Sequence, residues 1–234
     1  MIHPEEFLEG KFLLFDKPLH FTSFDVVAKV RWVLKQYCKV KKLKVGHAGT
    51  LDPLATGLLI LATGKFTKRI EEIQSTNKTY TGKFYIGATT ASYDLEKPPE
   101  NFQSLDSITP EKIDLVSKKF IGEIFQTPPI HSAIKQDGQS VYHKARAGKE
   151  VNLEARKISI HRFEITEIQL PEIDFIVECS KGTYIRSLAN DFGKELGCGA
   201  YLSSLCRTQV GEYKLEDAVQ LQTFLQDYAN KESK

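Results

Sequence analysis

The chain has 234 residues, 41% of them hydrophobic and 26% charged, enough apolar material to build a core in one large domain or two small ones. Its first residues, MIHPEEFLEGK, lack the basic and apolar regions of a secretion signal, and the apolar run GLLILATG is far too short to span a bilayer. A net charge of +2 does not by itself indicate a nucleic-acid partner.

In chain order, KFLLFDKP predicts a strand that stops at Pro18. In TSFDVVAKVRWVLKQY, Thr22 or Ser23 caps a helix whose apolar residues Val26, Val27, Val30, Val33 and Leu34 recur at helical spacing. GLLILATG fits a buried strand or the start of a helix. KTYTGKFYIGATT alternates and is rich in β-branched and aromatic residues, so it predicts a strand. TPEKIDLVSKKF opens a helix, with Thr109 as cap and Pro110 at the first helical position. KISIHRFEITEIQL and EIDFIVECS flank Pro171 and predict a hairpin. YIRSLANDFGKEL predicts a helix ending at Gly197, and LEDAVQLQTFLQDYA a last one. Between them, residues 127–150 hold two prolines, two glycines and little periodicity, a length of loop that is usually functional or disordered. Strands and helices mix without strict βαβ alternation, which predicts an α+β fold around a largely antiparallel sheet.

The charges are segregated. Arg31, Lys35, Lys39, Lys41, Lys42 and Lys44 follow one another with no acid between them, and Lys135, Lys144, Arg146 and Lys149 stand against Asp137 alone. The acids collect around Asp94 to Asp114. Such a division suits a polyanionic partner, although a solvated helix face explains any single charge run as well. Cys38, Cys179, Cys198 and Cys206 form no CxxC pair or disulfide framework, which predicts a reduced, cytoplasmic protein, and the six histidines show no metal-ligand spacing.

One stretch is unusual. GHAGTLDPLATGLL sets a single carboxylate, Asp52, among Gly46, Gly49 and Gly57, with Pro53 directly after it. Glycine allows left-handed backbone and close approach, and proline fixes φ, so the loop has the composition of one shaped around its acid. Thr50-Leu51-Asp52-Pro53 equally fits the cap of a helix starting at Pro53, and the loop alone does not separate these readings.

Four stretches together resemble the bacterial tRNA pseudouridine-55 synthases, the TruB family of pseudouridine synthases: DKPLHFTSFDVVAKVR, GHAGTLDPLATGLLILATGKFTK, QTPPIHSAIKQDGQSVYHKAR and CSKGTYIRSLANDFGKELGCGAYLSSLCRT. They run from about Lys11 to Gly211 in the family's order and spacing. The resemblance implies a pseudouridine synthase fold, a mixed and largely antiparallel central sheet flanked by helices. It also implies that residues 127–150 are a mobile RNA-clamping insertion. The expected reaction isomerises uridine 55 in the T-arm loop of tRNA after the nucleotide is flipped out of its stack.

Residue by residue, the resemblance makes Asp52 the catalytic carboxylate, with attack on C1′ and removal of the C2′ proton both open to it. Arg186, in GTYIR, becomes its ion-pair partner. Tyr80 becomes the base-stacking tyrosine and the candidate to take the C5 proton, while Tyr184 and Leu205 line the uracil pocket. His47 is expected to stack on loop bases, and Lys17, Lys68 and Lys181 to make phosphate or structural contacts. Without the family, Tyr80, Tyr184 and Leu205 read as core residues and Arg186 as a surface arginine. The rearrangement is redox-neutral, so neither a cofactor nor a metal is expected, and no membrane or protein partner is implied. The expectation is a monomeric, single catalytic domain over residues 1–234 without a C-terminal RNA-binding module. His20 departs from the family, which commonly has glycine there. A tRNA-binding protein without chemistry is the main rival, but a pure binder has no need of the aspartate, Arg186 and both tyrosines. A nucleotide-phosphate enzyme is not supported, because the chain carries no P-loop or dinucleotide pattern.

Overall fold

A computed structural model describes residues 2–129, 135–136, 139–140 and 153–229. In chain order the elements are α1 (Pro4–Glu9), β1 (Phe12–Lys17), α2 (Ser23–Tyr37), β2 (Val45–His47), β3 (Ala55–Thr63), a 3-10 turn (Gly64–Arg69), α3 (Ile70–Gln74) and β4 (Lys78–Ile86). They continue with α4 (Pro110–Lys118), β5 (Gly122–Gln126), β6 (Lys135–Gln136), β7 (Gln139–Ser140), β8 (Arg156–Gln169), β9 (Glu172–Cys179), α5 (Ile185–Leu196), β10 (Ala200–Val210), β11 (Tyr213–Lys214), a second 3-10 turn (Leu215–Asp217), β12 (Val219–Gln220) and α6 (Leu221–Ala229). The chain separates into one unit of Met1–Tyr80 with Leu205–Lys234 and another of Thr81–Ser204.

In the first unit, β1 lies between β3 and β12. It runs antiparallel to β3 from Phe12↔Ala62 to Lys17↔Gly57, and parallel to β12 at Phe15↔Val219. β10 joins the other side of β3 in parallel at Leu205↔Ala55, Cys206↔Thr56 and Arg207↔Gly57, so this sheet is mixed. Leu58, Leu59, Ile60, Leu61 and Ala62 of β3 are fully buried, which is why the strand reads as a continuous apolar run rather than an alternating one. The open choice at GLLILATG therefore resolves as strand.

Pro53 and Leu54 form a turn, not a helix, and β3 starts directly after them. Gly57 stands at φ +98, outside any right-handed helix, so the helix-cap reading of the Asp52 loop is excluded. α2 forms where expected. Its capping box is complete: Thr22 Oγ1 accepts from the Asp25 N–H at 3.0 Å, and the Asp25 carboxylate accepts from the Thr22 N–H at 2.9 Å.

The predicted last helix needs correction. Leu215–Asp217 is a 3-10 turn and Val219–Gln220 is the parallel strand on β1, so the helix begins only at Leu221. An open strand edge recruits these two residues, and Gln220 Nε2 donates to the Asp16 carboxylate at 2.9 Å.

In the second unit the strand order is β10-β4-β9-β8-β5. β8 and β9 form the expected hairpin around Pro171, with register shifts at Ile160/Arg162 and Ile165/Glu167, and β5 runs antiparallel to β8. Phe84, Phe163, Phe175 and Phe192 fill its core, with ring centroids 4.2 Å apart for Phe84–Phe175 and 5.6 Å for Phe163–Phe192. α4 starts at Thr109, whose hydroxyl accepts from the Lys112 N–H at 3.3 Å. α5 ends at Gly197 in the left-handed conformation.

Within residues 127–150, β6 and β7 pair antiparallel. Lys144, Arg146 and Lys149, expected in an RNA-clamping insertion, lie outside the described residues. Among the described residues no helix is long and apolar enough to cross a membrane.

Candidate functional site

Asp52 is half-buried on a loop whose backbone is held on both sides. Ser23, at the first turn of α2, grips Leu51 twice: its hydroxyl accepts from the Leu51 N–H at 2.8 Å and donates to the Leu51 carbonyl at 3.1 Å. The His20 N–H donates to the Pro53 carbonyl at 2.8 Å, and the Ala55 N–H to the Asp52 carbonyl at 3.0 Å. His20 itself sits at φ +67, the left-handed region that explains why glycine suits that turn. Arg207, in β10, donates from Nε to the Leu58 carbonyl at 2.8 Å, from Nη2 to that of Gly49 at 3.1 Å and from Nη1 to that of Thr50 at 3.5 Å.

Two further groups of the first unit are tuned by this loop. Lys17 is fully buried, and its ammonium donates to the Pro18 and Phe21 carbonyls at 3.0 and 2.6 Å. Of the two expected contacts, these bonds make the structural one. Burial pushes its pKa down to about 8, against the pull of the Asp52 carboxylate and with the help of the Arg207 charge. His47 closes β2 opposite Leu61. Burial and then Arg207 push its pKa down against a smaller contribution from the Gly49 backbone, so the imidazole is neutral at pH 7.

The same unit holds three more predicted site residues. Tyr80 is buried near the start of β4, as a core reading also requires. Leu205 is half-buried and pairs with Ala55, three residues beyond Asp52. Lys68 is exposed on the first 3-10 turn.

The second unit holds Tyr184, Arg186 and the exposed Lys181. Tyr184 is the N-cap of α5. The buried Gln126 side chain grips its backbone: Gln126 Oε1 accepts from the Tyr184 N–H at 2.8 Å and Gln126 Nε2 donates to its carbonyl at 3.1 Å. Arg186 is only 5% exposed, which excludes the surface reading. Its Nε lies 3.6 Å from the Asp94 carboxylate, both side chains being buried. Asp94 is fixed in turn, its carbonyl accepting from Thr90 and Ser92 hydroxyls at 2.7 and 3.1 Å.

Sequence reasoning missed Asp94, Arg207 and Gln126. Asp94 reads as one of a run of surface acids. Arg207 and Gln126 lie inside the quoted motifs, but nothing local marks them as buried.

Two family models match the chain. Residues 35–185 match the TruB family pseudouridylate synthase N-terminal domain, and residues 186–234 match the tRNA pseudouridylate synthase B C-terminal domain. The chain belongs to the TruB family of pseudouridylate synthases. It is therefore an enzyme, an isomerase.

A tRNA pseudouridine synthase B of Flavobacterium johnsoniae is 55% identical over 222 residues, which cover 94% of this chain and 97% of that one. One from Chlorobaculum tepidum is 48% identical over 212 residues, 90% of this chain and 88% of that one. Among solved structures, a chain in a Cbf5-Nop10-Gar1 complex superposes with a TM-score of 0.72 at 29% identity, covering 97% of this chain and 57% of that chain. A chain in an H/ACA RNP bound to a substrate RNA containing 2′-deoxyuridine gives 0.68 at 28% identity, covering 96% of this chain and 57% of that one. This TruB-family chain thus spans somewhat over half of the two solved chains and nearly the whole of both relatives. The fold is the pseudouridine synthase fold, α+β around a mixed sheet, as the sequence resemblance implied.

Proposed function

We propose that this enzyme converts uridine 55 in the T-arm loop of tRNA to pseudouridine, with Asp52 as nucleophile or base on the flipped-out nucleotide. The observation that carries the proposal is the Asp52 loop, a carboxylate presented from a backbone fixed by Ser23, His20 and Arg207. Support for tRNA as substrate comes from the names of the relatives.

The family resemblance supplies the other roles. The N1–C1′ bond breaks, the uracil turns, and a C5–C1′ bond forms, after which C5 loses its proton and N1 gains one. No electrons are exchanged, so the reaction calls for no redox cofactor. Asp52 must be ionised, and Arg186 of GTYIR supplies the counter-charge. Tyr80 stacks on the base and takes the C5 proton, with Tyr184 and Leu205 lining the uracil and keeping water from the reactive sugar. A neutral His47 suits insertion among loop bases, where a charged ring would have to be desolvated. The exposed Lys68 and Lys181 are assigned to phosphates. The enzyme acts as a monomer, and in the cytoplasm, where the thiols of Cys38, Cys198 and Cys206 suit a reducing compartment.

The test is tritium release from C5-labelled uridine in an unmodified tRNA transcript. The wild type releases tritium, and Asp52→Asn does not. The variant keeps tRNA affinity within about tenfold, because affinity comes from phosphates and stacking. Turnover by a purified Asn variant free of wild-type enzyme would overturn the role given to Asp52.

A further inference from the structure

Arg207 is 1% exposed, and among the described residues it makes no ion pair. Burying a guanidinium without a carboxylate is expensive, and apolar side chains of similar volume usually serve a core as well or better. Packing alone therefore does not account for this residue.

Two of its three hydrogen bonds end on the loop, at the carbonyls of Gly49 and Thr50, and the third on β3, at that of Leu58. Two acceptors precede Asp52 and one follows it. The backbone of Arg207 meets β3 itself, pairing with Gly57 so closely that a Cβ there would lie 2.4 Å from the Arg207 carbonyl oxygen. One residue thus holds the strand after the loop with its backbone and the loop's entry with its side chain.

We propose that Arg207 is a positioning residue for the reaction: its guanidinium ties the entry of the Asp52 loop to β3, the strand the loop leads into, and so fixes where the carboxylate points. A guanidinium suits this task because its planar fork serves separate acceptors at once, whereas an ammonium is a point charge. The influence of Arg207 on His47 and Lys17 fits the same placement. The inference rests on the role proposed for Asp52.

The test uses Arg207→Met, which keeps much of the apolar stem, and Arg207→Lys, which keeps the charge but not the fork. Val210→Ala, a buried residue of the same strand, serves as a control for destabilisation. With saturating tRNA transcript, Arg207→Met is expected to lower kcat for tritium release by about 100-fold while tRNA affinity changes less than about threefold, as for a small misplacement of a reacting group. Arg207→Lys should fall between it and wild type. The His47 pKa, followed by NMR, should rise in Arg207→Met and hold in Arg207→Lys. In both variants the Leu51 and Ala55 amides should exchange faster than in Val210→Ala. A kcat within threefold of wild type in a folded Arg207→Met, or a loss matched by Val210→Ala, overturns the proposal. If Arg207→Met does not fold, unchanged kcat and unchanged amide exchange in Arg207→Lys do so. If the wild type itself releases no tritium, the proposed function fails, and the exchange of Leu51 and Ala55 still decides whether Arg207 fixes the loop.

Discussion

Lys17 is a buried cation whose proton responds to pH just above neutrality. Below about pH 8 it is charged in both the folded and unfolded chain, and the cost of burying the charge is fully felt. Above that pH the folded protein releases the proton, while the unfolded chain keeps it up to the ordinary lysine value of 10.5. Across this window the unfolded state binds more protons, so this group makes stability rise with pH. The urea midpoint of wild type relative to Lys17→Met should therefore shift in favour of wild type between roughly pH 8 and pH 10. A difference that is flat with pH would show that Lys17 titrates normally. Gly57 gives a second expectation. At φ +98, an added Cβ would meet the Arg207 carbonyl oxygen at 2.4 Å and its nitrogen at 2.7 Å, backbone atoms that cannot step aside. Gly57→Ala should cost about 2–4 kcal/mol, left-handed strain and overpacking together, and a loss below about 1 kcal/mol in urea unfolding would count against that geometry.

At the scale of elements, the chain makes legible what is decided locally. α2 announces itself through Thr22, Asp25 and a 3.6-residue apolar period, all within one segment. Thr22→Ala should cost about 1 kcal/mol and, by loosening Ser23 in the first helical turn, speed exchange of the Leu51 amide. Unchanged Leu51 exchange in a destabilised variant would mean that Ser23 holds the loop without help from the cap. Features decided by distant pairing are not legible. Val219 and Gln220 carry helical periodicity, yet the open edge of β1 takes them as a strand. Asp94 and Arg207 are polar by type and buried only because the fold brings them a cation in one case and three carbonyls in the other. The glycines and proline around Asp52 single it out, but setting aside the helix cap needs the observed turn and the φ of Gly57.

At the scale of the whole molecule, a net charge of +2 conceals segregation that matters for a polyanionic substrate. Lys39, Lys41, Lys42 and Lys44 are exposed in a run without acids, whereas Lys118 is matched by Asp114 at 2.6 Å and Lys119 by Glu195. A lysine that already faces a carboxylate releases few counterions when RNA arrives; an unmatched one releases more. The same logic applies to Lys144, Arg146 and Lys149, whose charges the sequence sets against Asp137 alone. Replacing these three by Gln should weaken tRNA binding and reduce the slope of log affinity against log salt by roughly 2–3, at about 0.7–0.9 for each phosphate that is no longer neutralised. Lys118→Gln, measured in parallel, should leave the slope unchanged, since it removes a charge already neutralised within the protein. Tritium release at saturating tRNA should stay near wild type in the triple variant, because the Asp52 loop is untouched. The decisive comparison is the salt slope itself. Equal slopes for wild type and the triple variant would remove these residues from the RNA interface, and a fall in kcat at saturation would mean that they act on the reaction rather than on binding.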